Sequence, residues 1–227
     1  MATIADYRLS VRTMIRDTAG LGATPNPSQF IFQDWEIDAF TQSAVLAYSK
    51  YRGRRKPYTL TLQPGQSQYP LPADWMTVDL ASFHQAIGLD SDVDLSQFAS
   101  FVLPSLNPSI PLKDLTFDWY DSDQFVLVSP TPQATATINF AYFAAHTVDQ
   151  NGSSIPSADF DYVVLAAASR VLDTLAVDRG MKMQKYKIGQ GLMIDDSEVA
   201  KRLQEQAKAY WERFEQFVRF RPFGVMG

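Results

Sequence analysis

The hydrophobic pattern changes period twice along this chain, and that double change limits the fold more than any single motif does. Residues 3–17 place Ile4, Tyr7, Val11, Met14 and Ile15 at helical spacing, with Arg8, Arg12 and Arg16 on another face. Gly20, Gly22, Pro25 and Pro27 then break the pattern. From about 33 to 51 a second stripe runs through Ile37, Phe40, Ala44, Ala47, Tyr48 and Tyr51. Asp34, Glu36 and Asp38 crowd its first turns, where carboxylates meet the positive end of the helix dipole. Beyond Gly53 and Pro57 the period drops to two: Tyr58-Thr-Leu-Thr-Leu62 alternates strictly. Helical spacing returns only at Asp159. The expected order is helix, helix, β region, helix, helix, an α+β fold in which a bundle of about four helices is interrupted by an antiparallel β insertion.

Within the β region, Pro64-Gly65 suits a type II turn, with proline presetting one φ and glycine accepting the positive one. Val78 to Phe83 is a further candidate strand, Leu115–Trp119 and Phe125–Ser129 a hairpin, and Thr135–Phe143 another alternating run. Residues 86–113 lack periodicity and exceed a common connection in length. In the second helical half, Asp159–Val177 sets Tyr162, Leu165, Ser169, Leu172 and Ala176 on one side, with Val163, Val164, Ala167 and Val171 around it. A helix apolar on more than one face belongs at the centre of a bundle or between subunits, and Ala166-Ala-Ala-Ser169 lets another helix approach closely. Residues 180–194 are glycine-punctuated and receive no assignment. The last helix, about 195–219, has the stripe Val199, Leu203, Tyr210, Phe214 and Phe217. The domain expectation is therefore a bundle from 1–56 and 149–219, a β domain over 57–148 with an irregular excursion near 86–113, and a separate tail, 220–227.

Composition narrows the function. The 227 residues carry a net charge of -5 and no cysteine, which excludes disulfides and thiolate metal sites. An acidic chain touches nucleic acid only through a local patch. The opening MATIADYRLSVRTMIRD is charged throughout, and the longest aliphatic run, Val163–Ala168, is far too short to span a bilayer. The expectation is a soluble protein made in a cytoplasm, without an export signal or a membrane partner.

Reactive groups are few. His84 and His146 stand apart with no helical metal spacing and no nucleophile motif beside them. Gly189-Gln-Gly191 lacks the third glycine and the preceding strand of a dinucleotide site. Asp90-Ser-Asp-Val-Asp94 opens like a calcium loop, but Leu95 occupies the glycine position and Phe101 the bidentate glutamate position. No catalytic residue, metal site or cofactor is expected. Residues 90–123 hold seven aspartates against Lys113 alone, a negative face.

Two surfaces remain. KYRGRRKPY, residues 50–58, packs five of the chain's 20 Lys and Arg residues into nine positions. Lys50 and Tyr51 are assigned to the helix end, where cations suit the dipole. Arg52, Arg54, Arg55 and Lys56 are candidates for contact with a neighbouring subunit, with the acidic 90–123 face or with DNA. The second surface is FRPFGVMG. Phe220, Phe223, Val225 and Met226 are costly to leave in water, and Arg221 and Pro222 suit an extended peptide docking on another chain.

Three motifs carry a resemblance. QDWEIDAFTQSAVLAYSKY ends in an aromatic residue beside serine, Tyr48-Ser49; the β segment ends QYPLPADWM, with Tyr69-Pro-Leu-Pro-Ala-Asp74; and Ile155-Pro156 precedes the alanine-rich helix IPSADFDYVVLAAASRVLD. In this order they resemble the head-to-tail adaptor (connector) proteins of tailed bacteriophages, over most of residues 30–180. The resemblance implies a non-enzymatic virion protein at the head–tail interface. It implies rings of about twelve neighbouring adaptor subunits, with two heterologous faces per subunit. The portal protein would dock through the C-terminal segment (Phe220, Arg221, Phe223, Val225, Met226). The β part would face a tail or nozzle protein, with DNA passing through the channel. The large β region and the aspartate-rich excursion depart from the shorter members of that family. The competing readings are a tail-side gatekeeper or terminator without portal contact, a small nucleic-acid-binding module using the basic cluster, and a hydrolase or nuclease using His84 or His146.

Overall fold

The computed structural model describes residues 2–18, 21, 27–88, 112–120, 123–181, 186–188, 192–194 and 196–220. Its elements, in chain order, begin with helices α1 (Ile4–Ile15) and α2 (Asp34–Tyr51). Strands β1 (Arg54–Leu62), β2 (Gln68–Pro70) and β3 (Trp75–Val78) follow, then the short helix α3 (Leu80–Ala86). Strands β4 (Thr116–Tyr120), β5 (Phe125–Ser129) and β6 (Ala136–Ala144) complete the middle of the chain. Helix α4 (Phe160–Met181), the hairpin β7 (Tyr186–Ile188) and β8 (Leu192–Ile194), and helix α5 (Asp196–Phe220) close it. The class is α+β, with antiparallel sheets inserted between helices. Two compact units result, one from Met1–Arg52 with His146–Gly227 and one from Gly53–Ala145.

In the helical unit, α4 is the centre. It packs against α1, α2 and α5, which explains why its sequence is apolar on more than one face. Val163, Val164, Ala166, Ala167, Ala168 and Val171 are all buried in one core with Tyr7, Val11, Ile37, Val45 and Phe214. The small-residue segment does what its size allows: the Ser169 hydroxyl donates to the Ala207 carbonyl of α5 at 2.7 Å, a contact that larger side chains would hold apart. Helix α5 buries Ala200, Ala207, Phe214 and Val218. Val199, expected on that stripe, is instead exposed.

Helices α1 and α2 are tied by arginines that lie on a face of α1 other than its apolar stripe. Arg8 grips Asp38 through two nitrogens at 2.9 and 2.7 Å, and Asp34 at 2.8 Å. Arg12 is 2% exposed. Burying a guanidinium costs several kcal/mol unless oxygens surround it. Here it donates to Asp17 at 2.6 Å, to Asp34 at 2.8 Å and to the Phe32 carbonyl at 2.9 Å. The acidic first turn of α2 therefore answers to arginine as well as to the helix dipole.

The β unit contains two three-stranded sheets, ordered β1-β6-β3 and β2-β5-β4, and both contribute to a single core. Pro57 sits mid-strand in β1, opposite Ala141. Ala141 turns its own polar groups the other way: its N–H donates to Ser82 Oγ and its carbonyl accepts from Asp79 N. Pro57 thus lies at a pairing position that asks no N–H of it, on an edge strand where proline is tolerated. Gly65 follows Pro64 with φ 79°, as the type II turn requires. The Tyr69 hydroxyl pins this turn, accepting from Gln63 N at 3.0 Å and donating to the Gln66 carbonyl at 2.8 Å. Aromatic rings fill the interior: Trp75 stacks on Trp119 and on Tyr142, and Phe83 meets Phe117, Trp119 and Phe140 edge-on.

One expected strand is a helix. Val78 closes β3, and Leu80–Phe83 belong to α3. Asp79 caps it, its carboxylate accepting from Ser82 N at 3.4 Å. Local cap chemistry outweighs the alternation read from Val78 to Phe83. Within the expected excursion, α3 reaches Ala86 and a 3-10 turn occupies Leu112–Asp114; residues 89–111, with Asp90, Asp92 and Asp94, lie outside the described residues. Conversely, the unassigned 180–194 region contains the β7–β8 pairing, Tyr186 opposite Ile194 and Ile188 opposite Leu192.

Candidate functional site

The basic stretch 50–58 is shared between the two units. Lys50 lies in the last turn of α2, and Arg52 caps that helix, its N–H donating to the Tyr48 carbonyl at 2.9 Å. The chain passes to the β unit after Arg52 and returns before His146. Around Arg52 a buried polar cluster assembles. Asp159, with a side chain 6% exposed, accepts from the Tyr48 hydroxyl at 2.5 Å and from the Arg52 guanidinium at 3.0 Å. Burial, then the Asp159 bond, pushes the Tyr48 phenol well above its ordinary range. The guanidinium also lies 4.4 Å over the Phe217 ring of α5, and that ring stacks on Tyr162 at 3.4 Å. His146 completes the cluster: Nε2 lies 2.8 Å from the Arg52 carbonyl, Nδ1 3.0 Å from Ser154, and its backbone N–H donates to Ser49 Oγ at 2.9 Å.

Arg54, Arg55 and Lys56 start β1. Alternation sends Arg54 and Lys56 to one side and Arg55 to the other, and each side supplies a carboxylate. Lys56 donates to Asp74, Arg54 stands 3.7 Å from the same carboxylate, and Arg55 donates to Asp79 at 2.8 Å. The Tyr142 hydroxyl also donates to Asp74, at 2.8 Å. Partial burial works to raise the Asp74 carboxyl, but the Lys56 and Tyr142 bonds outweigh it and the net shift is downward. Tyr142 itself is pushed up to about 12, by burial first and by the Asp74 contact second. Arg55 remains 63% exposed at the side chain. An open depression of about 560 Å³ borders Arg55 and Lys56, with Thr59, Ser82 and Asn139 on its walls.

The four basic candidates divide between the two units. Arg52 belongs to the helical unit and Arg54, Arg55 and Lys56 to the β unit, and each has an intramolecular carboxylate partner. Sequence reasoning missed those partners, although Tyr48-Ser49, Asp74 and Asp159 all stand inside the quoted motifs. The signal was a carboxylate following a proline turn in each case, Pro72-Ala-Asp74 and Pro156-Ser-Ala-Asp159. Of the tail candidates, Phe220 ends α5; its side chain, with Arg221, Phe223, Val225 and Met226, lies outside the described residues.

His84 is the last-turn basic residue of α3. Both ring nitrogens of His146 face protein oxygens, leaving it a cross-linking role. Among the described residues, no group of three or more His, Asp or Glu side chains could hold a metal ion, and no helix is long and apolar enough to cross a membrane. Apolar surface is exposed on α2 at Trp35, 70% accessible, and Leu46, 50%, eleven residues apart and so on one face, with Ile31 just before the helix.

The family model described as SU10 adaptor protein matches residues 2–216. No curated protein matches the chain.

Proposed function

The chain belongs to the SU10 adaptor protein family, structural proteins of phage virions, and from that premise we propose that it forms a ring between the capsid portal and the tail, gripping the portal through the end of α5 and residues 220–227. The observation that carries this reading is α5. It is the longest element among the described residues, 25 residues, and it is fixed to α4 by Phe214, Val218 and the Ser169–Ala207 bond. It delivers the chain directly to FRPFGVMG, whose Phe220, Phe223, Val225 and Met226 supply apolar area that a partner groove can cover.

Neighbouring adaptor subunits are the second partner, and a tail or nozzle protein meeting the β unit is the third. The exposed α2 face at Trp35 and Leu46 suits the subunit contact, because large apolar side chains left in water favour association. Passing DNA is a weaker claim on the basic stretch. Arg52, Arg54, Arg55 and Lys56 each face a carboxylate, so their net attraction for phosphate is reduced. A lining that does not hold phosphate tightly also suits a duct through which DNA must slide.

Truncation after Arg219 tests the docking. We expect the shortened protein to fold, by far-ultraviolet circular dichroism, and to lose binding to purified portal particles. Full affinity without the tail would contradict the proposal and favour a tail-side gatekeeper, which meets no portal.

A further inference from the structure

The β unit has strands at the open edges of its two sheets, and the direction of their polar groups follows residue by residue. β1 lies at the edge of its sheet, bonded to β6. Opposite Pro57, Ala141 directs its N–H to Ser82 and its carbonyl to Asp79, away from β1. Such positions alternate along an antiparallel pair. Arg55, Thr59 and Thr61 therefore aim their backbone N–H and C=O groups at the open edge, and Pro57 aims its carbonyl there. These same residues form the exposed face of β1. β4 is an edge of the second sheet, bonded to β5. Val128, opposite Phe117, gives its N–H to Ser67 on the β2 side, so Phe117 and Trp119 aim their groups at the β4 edge. Here the parity is reversed: Phe117 and Trp119 pack on the core, and Thr116, Asp118 and Tyr120 are exposed. Among the described residues, no main-chain group bonds either edge.

We infer that β1 of one copy takes up β4 of a second copy as a parallel strand, since an open edge is a template for an added strand. The reversed parity decides the direction. In a parallel pair, a residue offering both its groups stands opposite one that offers none, and bonds that residue's two neighbours. Thr59, opposite Asp118 of the second copy, donates to the Phe117 carbonyl and accepts from the Trp119 N–H. Thr61 donates to the Trp119 carbonyl, and the Pro57 carbonyl accepts from the Phe117 N–H. Nothing in this register asks Pro57 for the N–H it lacks. Exposed side chains of both copies then share one face, whereas antiparallel pairing would set core-packed Trp119 on the face of exposed Thr59. Charge favours the same register. Arg55, 63% exposed at the side chain although bonded to Asp79, comes level with Asp114 of the second copy. Asp114 and Asp118 are exposed carboxylates, and opposite charges on neighbouring strands attract. The depression of about 560 Å³ against Arg55 and Thr59 leaves room for the incoming side chains. Because the two edges differ, each copy gives one and receives at the other, a heterologous contact that repeats. That the copies close into a ring rests on the function proposed above; the edge pairing does not.

The chain has no cysteine, so introduced thiols report the pairing directly. Opposite Cα atoms of paired strands stand about 5 Å apart, within reach of a disulfide. Full-length Thr59→Cys and Asp118→Cys chains, both changed at exposed positions, are mixed and mildly oxidised, alone and with portal particles. Mass spectrometry of the linked peptides identifies the products. We expect a link between positions 59 and 118 in at least one of the two settings, and little link to position 116 when Thr116→Cys replaces Asp118→Cys. Arg55→Glu in the first chain should lower the yield about fivefold, and Asp114→Arg in the second should restore it. A prevailing link between two copies of position 59 would overturn the inference in favour of an isologous β1–β1 pair. Absence of the link between 59 and 118 in both settings, or an equal link to 116, overturns it too. Portal binding without the link would refute the edge pairing and leave the docking, whereas the link without portal binding would refute the docking and leave the pairing.

Discussion

The helical and β units answer the same problem in the same way and at different depths. Each anchors cations from the stretch 50–58 on a carboxylate that also accepts a tyrosine hydroxyl. In the helical unit the set is Tyr48, Asp159 and Arg52, with the Asp159 and Arg52 side chains 6% and 16% exposed. In the β unit it is Tyr142, Asp74 and Lys56, with the Asp74 and Lys56 side chains 31% and 34% exposed. Depth decides what such a set is worth. A buried charge left without its partner is expensive, whereas water and salt compensate an exposed one. The deeper set therefore fixes structure within the helical unit, and the shallower one keeps Arg54, Arg55 and Lys56 tethered yet within reach of solvent.

Asp159→Ala should break this comparison most forcefully. Removing the carboxylate leaves Arg52 charged and Tyr48 without its acceptor, and a loss of about 3–5 kcal/mol is expected for the helical unit. Denaturant unfolding followed by the helical dichroism signal measures it. A loss comparable to that of Asp74→Ala would mean that depth is not the controlling variable.

Asp74→Ala should cost about 1 kcal/mol or less, and most of the difference from the unchanged protein should vanish in high salt, where exposed pairs are screened. Tryptophan fluorescence reports this unit once Trp35 and Trp211 of the helical unit are replaced by phenylalanine, since Trp75 and Trp119 stack in its core. The pH dependence has the sign of a depressed carboxyl: the Asp74 contribution is present above its ordinary value of 3.8 and fades as pH falls below it. A salt-independent loss would place Asp74 among the buried sets.

The smallest effect belongs to Tyr142. Its phenol is held neutral, raised from 10.0 to about 12. Its contribution is complete below pH 10 and is lost as pH climbs towards about 12. Spectrophotometric titration of the unchanged protein and of Tyr142→Phe should differ by one phenol ionising near the upper end of that window. A difference spectrum with a midpoint near 10 would remove the Asp74 contact from the account.

Most of the fold was legible because apolar periodicity is a direct image of burial. Helices α1, α2, α4 and α5 and strands β1, β4, β5 and β6 all follow from spacing alone, and the type II turn from Pro64-Gly65. The errors have local causes. Leu80–Phe83 looks like a strand because Leu80 and Phe83 are apolar, yet Asp79, just before them, and Ser82 supply a helix cap. The β7–β8 pairing is only three residues on each strand, below the length at which alternation declares itself. The carboxylate partners of the basic stretch were not legible, because sequence shows charge but not its partner. Asp74 lies 18 residues from Lys56 and Asp159 lies 107 from Arg52, separations over which no local rule operates. The burial of Arg12 was hidden for the same reason, since Asp17 and Asp34 surround it only after the chain has turned back.

The central claim is that this adaptor assembles on a portal rather than elsewhere in the virion. The mass of the purified chain, measured by native mass spectrometry alone and after mixing with portal particles, tests it most directly. We expect the chain alone to be small and the mixture to contain portal particles that have gained a fixed, saturating number of copies. Portal particles of unchanged mass in the presence of excess folded chain would contradict it.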